Sequence, residues 1–110
     1  MLCQKLTGIL SICRKAGKIA AGFAPMKEAL GTGRVAGVLV TADISPKTHK
    51  EVVYFCQKKK VPVCEVPLTM DQLGGAIGRK AAVAAVLDAG FFDRIVQLAA
   101  VQQTDTAERA

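Results

Sequence analysis

The sequence predicts an α/β protein of one domain, a three-layer α/β/α sandwich with a mixed central sheet of about four strands. Three observations predict this fold. Helical and extended patterns alternate along the chain as αβαβαβαβα, with short connections. Residues 35–40 form a hydrophobic run of the kind found in strands that are buried on both faces. A chain of 110 residues, 51% of them hydrophobic, can bury a core without disulfides or metals.

The spacing of apolar residues predicts the first helix and the first strand. Apolar side chains recur at intervals of three and four residues, which is typical of an amphipathic helix: Leu2, Leu6, Ile9, Leu10 and Cys13. Gly17 is the expected end of this helix. Residues 18–21 are too few for a helix and predict a short strand.

The second helix is expected to begin within residues 23–25. Pro25 suits the first helical position, because its missing N–H has no helical partner there. Met26, Ala29 and Leu30 fall on one helical face, and Gly31 and Gly33 end the run. The buried strand of residues 35–40 follows and leads to Asp43.

A third helix is predicted after Ser45, which serves as its cap, with Pro46 in the first helical position. Its apolar side carries Val52, Val53, Phe55 and Cys56. The helix ends in three lysines, residues 58–60, which complement the helix macrodipole. A dedicated RNA contact by these lysines is the alternative, and the pattern leaves it open.

The last elements differ in how well the pattern defines them. Residues 61–66 predict a strand, and residues 70–77 predict a short helix that follows a loop and precedes Gly78. Residues 81–87 are wholly apolar, so periodicity permits either a helix or a strand. A final helix is expected from residue 89, and the polar tail, residues 101–110, is expected to fray.

Net charge and composition limit the classes of function that the chain can have. The formal net charge is +6, and because the last ten residues contribute −1, residues 1–100 carry +7. Such a basic body favours polyanionic partners. No apolar run reaches the roughly 18 residues of a membrane span, and no signal-peptide pattern is present, so we expect a cytoplasmic protein without a membrane partner.

The four cysteines and the one histidine do not form a metal-binding pattern. Cys3, Cys13, Cys56 and Cys64 contain no C-x-x-C pair, and His49 lies in a polar segment. We therefore expect no metal and no cofactor, and we interpret the cysteines as small buried side chains in a reducing compartment.

The sequence gives little support for catalysis. Residues 31–36 match the dinucleotide string G-x-G-x-x-[GA], but a helix precedes this string and a strand follows it, the reverse of what pyrophosphate binding requires. Asp43 follows a buried strand, where it can act as an active carboxylate or cap a turn. Without a nucleophile motif, we expect no enzyme activity and no small-molecule substrate.

Two interpretations explain a glycine-rich helix followed by two cations equally well. Gly74, Gly75 and Gly78, with Arg79 and Lys80, are explained by close helix packing with solvated cations. They are equally explained by a surface that RNA backbone approaches closely and that holds it by charge.

An ordered set of motifs resembles the kink-turn-binding ribosomal protein superfamily (the L-seven-Ae-like and Gadd fold), and most of all its bacterial YlxQ-type branch. The matching pieces are Ala16-Gly17-Lys18 with Gly22, VLVTAD at residues 38–43, Ser45-Pro46-Lys47-Thr48, VPV at 61–63, LGGAIGRK at 73–80 and AGFFDRI at 89–95. The resemblance implies a ribosomal-protein-like RNA-binding domain over residues 1–100, which docks on structured, ribosomal RNA without catalysis. It also implies that residues 81–87 form a strand.

The resemblance further implies where RNA lies: on the first strand–helix junction, at the start of the following helix, and on a later loop with nearby cations. Carried onto this chain, the RNA-binding residues are Lys18, Gly22, Phe23, Ala24, Pro25, Lys27, Glu28, Leu68, Thr69, Met70, Arg79 and Lys80. Apolar loop residues are expected to cover an extruded base, and lysines are expected to neutralise phosphates.

The chain departs from the kink-turn pattern at the start of the second helix. Where kink-turn binders carry Asn, Glu and Lys to read sheared G·A pairs, this chain has Ala24, Pro25 and Glu28. Lys27 lies one residue early, about 100° around the helix. We therefore expect RNA binding through charge and shape. The alternative is a protein-interaction module of the same fold that has lost kink-turn specificity, with ribosomal or other proteins as partners.

Overall fold

The computed structural model describes residues 2–109, with side chains described for residues 5–99. Its elements follow the predicted order: α1 (Leu2–Lys15), β1 (Ile19–Ala21), α2 (Phe23–Thr32), β2 (Gly37–Val40), α3 (Pro46–Lys58), β3 (Val63–Glu65), α4 (Met70–Ile77), β4 (Val83–Val86) and α5 (Ala89–Arg109). The predicted frayed tail, residues 101–110, lies outside the described side chains, as do Leu2 and Cys3.

The four strands form one mixed sheet in the order β1-β4-β2-β3. The central strand β4 pairs antiparallel with both β1 and β2, with Val86 opposite Ile19 and Gly37. The other neighbour of β2 is β3, which runs parallel to it. The apolar run whose periodicity permitted helix or strand is therefore a strand, and its four residues are all buried.

The sheet separates two cores, which makes the molecule a three-layer α/β/α sandwich as predicted. Side chains of α1, α4 and α5 pack on one face around Leu39. Side chains of α2 and α3 pack on the other face around Val38 and Val40. Because neighbouring residues of a strand point to opposite faces, β2 supplies both cores, and this explains why its whole run is hydrophobic.

The ends of the helices follow capping rules. Ser45 caps α3 as predicted, with its Oγ accepting a hydrogen bond from the Thr48 N–H at 3.3 Å. Thr69 and Gln72 form a capping box at the start of α4, and Gly78 ends that helix in the left-handed conformation.

The start and end of α2 correct two predictions. Gly22 is the N-cap and Phe23 the first helical residue, so Pro25 occupies the third position and not the first. The third position tolerates proline for the same reason, because the first four N–H groups of a helix have no helical acceptor. Gly31 lies inside α2, and Gly33 alone forms the left-handed cap, with a φ of 75°.

Gly37 interrupts the hydrophobic run of β2 because Phe92 of α5 needs the space. A Cβ at Gly37 would overlap the Phe92 ring. The aromatic side chain therefore packs directly on the backbone of β2, and this contact holds α5 against the sheet.

Candidate nucleic-acid interface

Three strands end at one edge of the sheet, and the fourth begins there. The strands β1, β2 and β3 run in the same direction, because β4 is antiparallel to β1 and β2, and β3 is parallel to β2. The helices that follow them, α2, α3 and α4, therefore all start at this edge, beside the connection that leads into β4. The Gly22 N–H donates to the Val83 carbonyl at 2.8 Å, and the Thr41 N–H donates to the Ala82 carbonyl at 2.9 Å. We call this region the helix-entry edge; it comprises residues 22–25, 41–46, 67–70 and 79–82.

Arg79 lies beside Gly22, on the β1 side of this edge. The φ of Gly22 is 107°, a conformation that L side chains rarely adopt. A Cβ at this position would lie 3.8 Å from Cζ and Nη2 of Arg79, and 3.4 Å from Cδ of Pro25. The exposed guanidinium of Arg79 therefore lies beside the first turn of α2, where its charge adds to the positive end of the helix macrodipole.

Asp43 joins two of the helix starts. Its Oδ1 accepts a hydrogen bond from the Met70 N–H at 3.0 Å. The carboxylate thus caps the first turn of α4 from the loop that follows β2. Of the two interpretations of Asp43 that the sequence left open, the structure shows capping, here of a helix.

The loop before α4 offers less apolar surface than expected. The side chain of Leu68 is 1% exposed and belongs to the α1–α4–α5 core, so it cannot cover an extruded base. Thr69 is exposed, but its hydroxyl accepts from the Gln72 N–H in the capping box. Met70 is half-buried, so of the three it is the residue that leaves part of an apolar surface accessible.

A third cation, which the sequence analysis did not select, adjoins Arg79. Arg14 lies on the last turn of α1, and a Cβ at Gly78 would lie 2.6 Å from its Cζ. Its guanidinium therefore packs over the residue that precedes Arg79. The only sequence signal at Arg14 was its position in a last helical turn, which favours dipole complementation and carries no information about this contact.

Lys80 is held less strongly at the edge. Its ammonium pairs with the Asp71 carboxylate at 3.3 Å, and both side chains are largely exposed. Such a surface pair is weak, so it leaves the ammonium available to a phosphate. The backbone of Lys80 packs against α4, because a Cβ at Gly74 would lie 2.9 Å from Lys80 Cα. Close packing therefore explains Gly74, whereas Gly75 faces open space.

Lys18 lies at the opposite end of β1 from the helix-entry edge. Its carbonyl accepts a hydrogen bond from the Leu87 N–H at 2.8 Å, beyond the last residue of β4. Three strand residues separate it from Gly22, which corresponds to roughly 13 Å between the two Cα atoms. The structure therefore does not bring Lys18 together with Arg79.

Lys27 and Phe23 face α3. The Lys27 ammonium lies 4.7 Å from the centroid of the Phe55 ring and 5.7 Å from that of Phe23. The two rings contact each other edge to face, with their centroids 6.0 Å apart. These cation–π contacts direct Lys27 along the groove between α2 and α3.

The three positions that depart from the kink-turn pattern are accessible. Ala24 and Glu28 are exposed, and Pro25 is half-buried. Pro25 and Glu28 line a shallow groove of about 320 Å³ between α2 and the β1 edge of the sheet, together with Arg34. The backbone therefore presents these positions to solvent even though their side chains lack the expected polar groups.

Cysteine chemistry does not contribute to this edge. Cys13 and Cys56 are fully buried, and burial raises the pKa of each thiol to about 11; the negative charge of Asp88 adds to the effect at Cys13. Burial and, secondarily, the charge of Glu65 raise the pKa of Cys64. These thiols therefore stay protonated at neutral pH.

The described residues also bear on metal binding and on membrane insertion. Within that part of the chain, no three His, Cys, Asp or Glu side chains cluster in a way that could hold a metal ion. None of the helices over the same residues combines the length and the apolar character that crossing a bilayer requires.

Comparison with known proteins connects this fold to ribosomal proteins. Large ribosomal subunit protein eL30 of Neurospora crassa is 29% identical over 92 residues, which cover 82% of this chain and 84% of that protein. A protein with unknown function from Bacillus halodurans C has a similar structure, with a TM-score of 0.77 at 28% identity over 86% of this chain and 95% of that one.

The fold is also that of a 15.5kD RNA binding protein from Giardia lamblia, with a TM-score of 0.72 at 20% identity over 91% of this chain and 88% of that one. A family model matches residues 4–96, which span all four strands and most of the described helices. The chain belongs to the ribosomal protein L7Ae/L30e/S12e/Gadd45 family.

Proposed function

We propose that this protein binds structured RNA through the helix-entry edge, without catalysis, as a ribosome-associated protein of the cytoplasm and of the bacterial YlxQ-type branch. The observation that carries the proposal is the Arg79 guanidinium beside Gly22, at the edge where α2, α3 and α4 begin. Membership of a ribosomal protein family supports it, as do the eL30 relative and the fold of the Giardia lamblia RNA binding protein.

The chemistry of the edge suits a phosphate backbone. Helix starts present N–H groups and partial positive charge, and Arg79, Arg14 and Lys80 add full charges beside them. Gly22 has no side chain, so a phosphate or sugar can approach the first turn of α2 closely. Met70, which is half-buried, supplies an apolar contact for a base at the same edge.

The test compares Arg79→Ala with Arg94→Ala. Both residues are exposed arginines, but Arg94 lies on α5, beside Ile9 and Ile12 of α1. A gel-shift series would use a kink-turn RNA, a linear duplex and ribosomal RNA over a range of salt concentrations. We expect Arg79→Ala to weaken binding about tenfold and to lower the salt slope by about one, because one phosphate contact is lost.

Arg94→Ala should bind like the parent protein, within about twofold. Equal losses for the two variants would indicate non-specific attraction to the basic body and would contradict the proposed edge. If the parent protein binds none of the three RNAs at low salt, the proposed function itself is wrong.

A protein-interaction module of the same fold is the second candidate function. The presence of Ala24, Pro25 and Glu28 at the usual base-reading positions favours it. Alanine and proline have no side-chain hydrogen-bonding group, and Glu28 places a negative charge where the kink-turn pattern has a lysine. Pull-down with the full chain from nuclease-treated lysate separates the two candidates. Partners that persist without RNA support the interaction module, and partners that are lost with RNA support RNA binding.

A further inference from the structure

An exposed stripe of three lysines and one tyrosine runs along α3, outside the helix-entry edge. Lys47, Lys50, Tyr54 and Lys58 are all exposed. At 100° per residue they fall within an arc of about 80°, so they share one face of the helix. The stripe is about 16 Å long and begins at Lys47, two residues after the Ser45 cap.

Tyr54 is unusual on this stripe because a large ring is left in solvent. Its side chain is 57% exposed, and Tyr54 is one of two large hydrophobic residues exposed to this degree among those the structure describes. The ring contacts Phe55 edge to face, with the centroids 5.4 Å apart. The Lys58 ammonium lies 5.2 Å from the Tyr54 centroid. Proteins that bind single-stranded nucleic acids combine an aromatic ring, on which a base stacks, with nearby cations that contact the phosphates.

The groove next to the stripe carries the same sign of charge. A depression of about 240 Å³ between α2 and α3 is lined by Lys27, Leu30, Gly31, Phe55, Lys58 and Lys59. Lys27 is directed along this groove by its contact with the Phe55 ring. Glu51 is the acid beside the stripe on α3. The local excess of cations favours a polyanion as the partner over a neutral or basic surface.

We propose that the α3 stripe is a second RNA-contact surface, on which single-stranded RNA leaving the helix-entry edge stacks a base on Tyr54 and places phosphates on Lys47, Lys50 and Lys58. This inference rests on the proposed function, because it extends the same RNA from the edge along α3. The proposal gives Tyr54 and the α3 lysines a role in RNA binding. Complementing the helix macrodipole would not require Tyr54, nor lysines as early in the helix as Lys47 and Lys50.

Tyr54 provides a direct readout, because the chain has one tyrosine and no tryptophan. Intrinsic fluorescence excited in the tyrosine band therefore reports on this ring alone. We would titrate the full chain with a kink-turn RNA that carries a ten-nucleotide single-stranded pyrimidine extension, and with the same RNA lacking the extension. Stacking predicts that the extended RNA quenches tyrosine emission, whereas the shorter RNA binds without quenching.

Variants test the affinity. Tyr54→Ala should weaken binding of the extended RNA about 5- to 100-fold, Tyr54→Phe should retain it, and both should bind the shorter RNA within about twofold of the parent protein. The double variant Lys50→Ala/Lys58→Ala should lose the preference for the extended RNA. The matched control, Lys5→Ala/Lys15→Ala on α1, removes the same charge from exposed positions and should preserve that preference.

The outcomes separate this inference from the proposed function. If both RNAs bind equally, with tyrosine emission unchanged and no effect of the stripe variants, the α3 inference is wrong and the helix-entry edge stands. If neither RNA binds the parent protein, the proposed function fails first, and the α3 surface fails with it. Capture of an acidic protein through Tyr54, in place of RNA, would also overturn the inference.

Discussion

Under the proposed function, three positions on the first two turns of α2 set how far the protein can distinguish one RNA from another. Ala24 and Glu28 are exposed, and Pro25 is half-buried beside Gly22. An alanine, a proline and a carboxylate offer no donor to the base edges of a G·A pair. At the scale of single residues, the proposed function therefore has the edge hold RNA by charge and close approach.

Restoring the polar groups should create kink-turn preference. We predict that Ala24→Asn/Pro25→Glu/Glu28→Lys raises the ratio of kink-turn to linear-duplex affinity from near one to about tenfold or more. Each new hydrogen bond contributes about 0.5–1.5 kcal/mol, and 1.4 kcal/mol corresponds to a factor of ten. Fluorescence anisotropy with the two labelled RNAs measures this ratio.

The control for this variant is Gln97→Lys, which adds the same net charge at an exposed position of α5. It should strengthen binding to both RNAs equally or not at all. A folded triple variant whose ratio stays near one would show that α2 does not face the bases.

Single residues also show which features of the proposed site could be predicted from the sequence and which could not. The family resemblance placed Gly22 and Arg79 in one predicted site, and in the structure the Arg79 guanidinium lies beside Gly22. The sequence could not reveal that Leu68 is buried or that Arg14 packs on Gly78, because each fact depends on elements that are distant in sequence. Periodicity reports the face of one helix and not what another helix places against it.

At the scale of elements, the contact between α5 and β2 depends on one glycine. The Phe92 ring occupies the volume that a side chain at Gly37 would need, and Gly37 lies in a strand with both faces buried. A tightly packed core has no room to relax around an added methyl group. The single glycine in the hydrophobic run of β2 is thus explained by packing.

We predict that Gly37→Ala lowers the free energy of unfolding by about 1–3 kcal/mol, because the Phe92 ring must move off the sheet. Urea denaturation followed by circular dichroism measures the change. Gly31→Ala is the control: Gly31 lies inside α2 with open space around its Cα, so alanine should stabilise the helix by up to about 1 kcal/mol. Equal midpoints for the two variants would contradict this account of Gly37.

Most elements were predictable because local signals agree. The Ser45-Pro46 start of α3 and the Gly78 end of α4 follow from capping rules and appear as predicted. The strand β4 was not predictable from periodicity, since an alanine-rich apolar run suits a buried strand and a buried helix equally. Its place at the centre of the sheet, between β1 and β2, determines its conformation.

At the scale of the whole molecule, sheet order assembles the helix-entry edge. Strand order β1-β4-β2-β3 puts the starts of α2, α3 and α4 at one edge, together with the connection that carries Arg79. The same order puts Lys18 at the other end of β1. The family resemblance supplied most residues of the proposed site, but their convergence follows from strand pairings between residues far apart in the chain.

The central claim is that structured RNA docks on the helix-entry edge, and NMR mapping of backbone amides tests it most directly. We predict that a kink-turn RNA without a single-stranded extension shifts the amides of Gly22, Met70, Arg79 and Lys80. The amides of Lys18 and of the α1–α5 surface around Ile12 and Arg94 should stay unchanged. Shifts concentrated on the α1–α5 surface, with the Gly22 and Arg79 amides unmoved, would contradict the account.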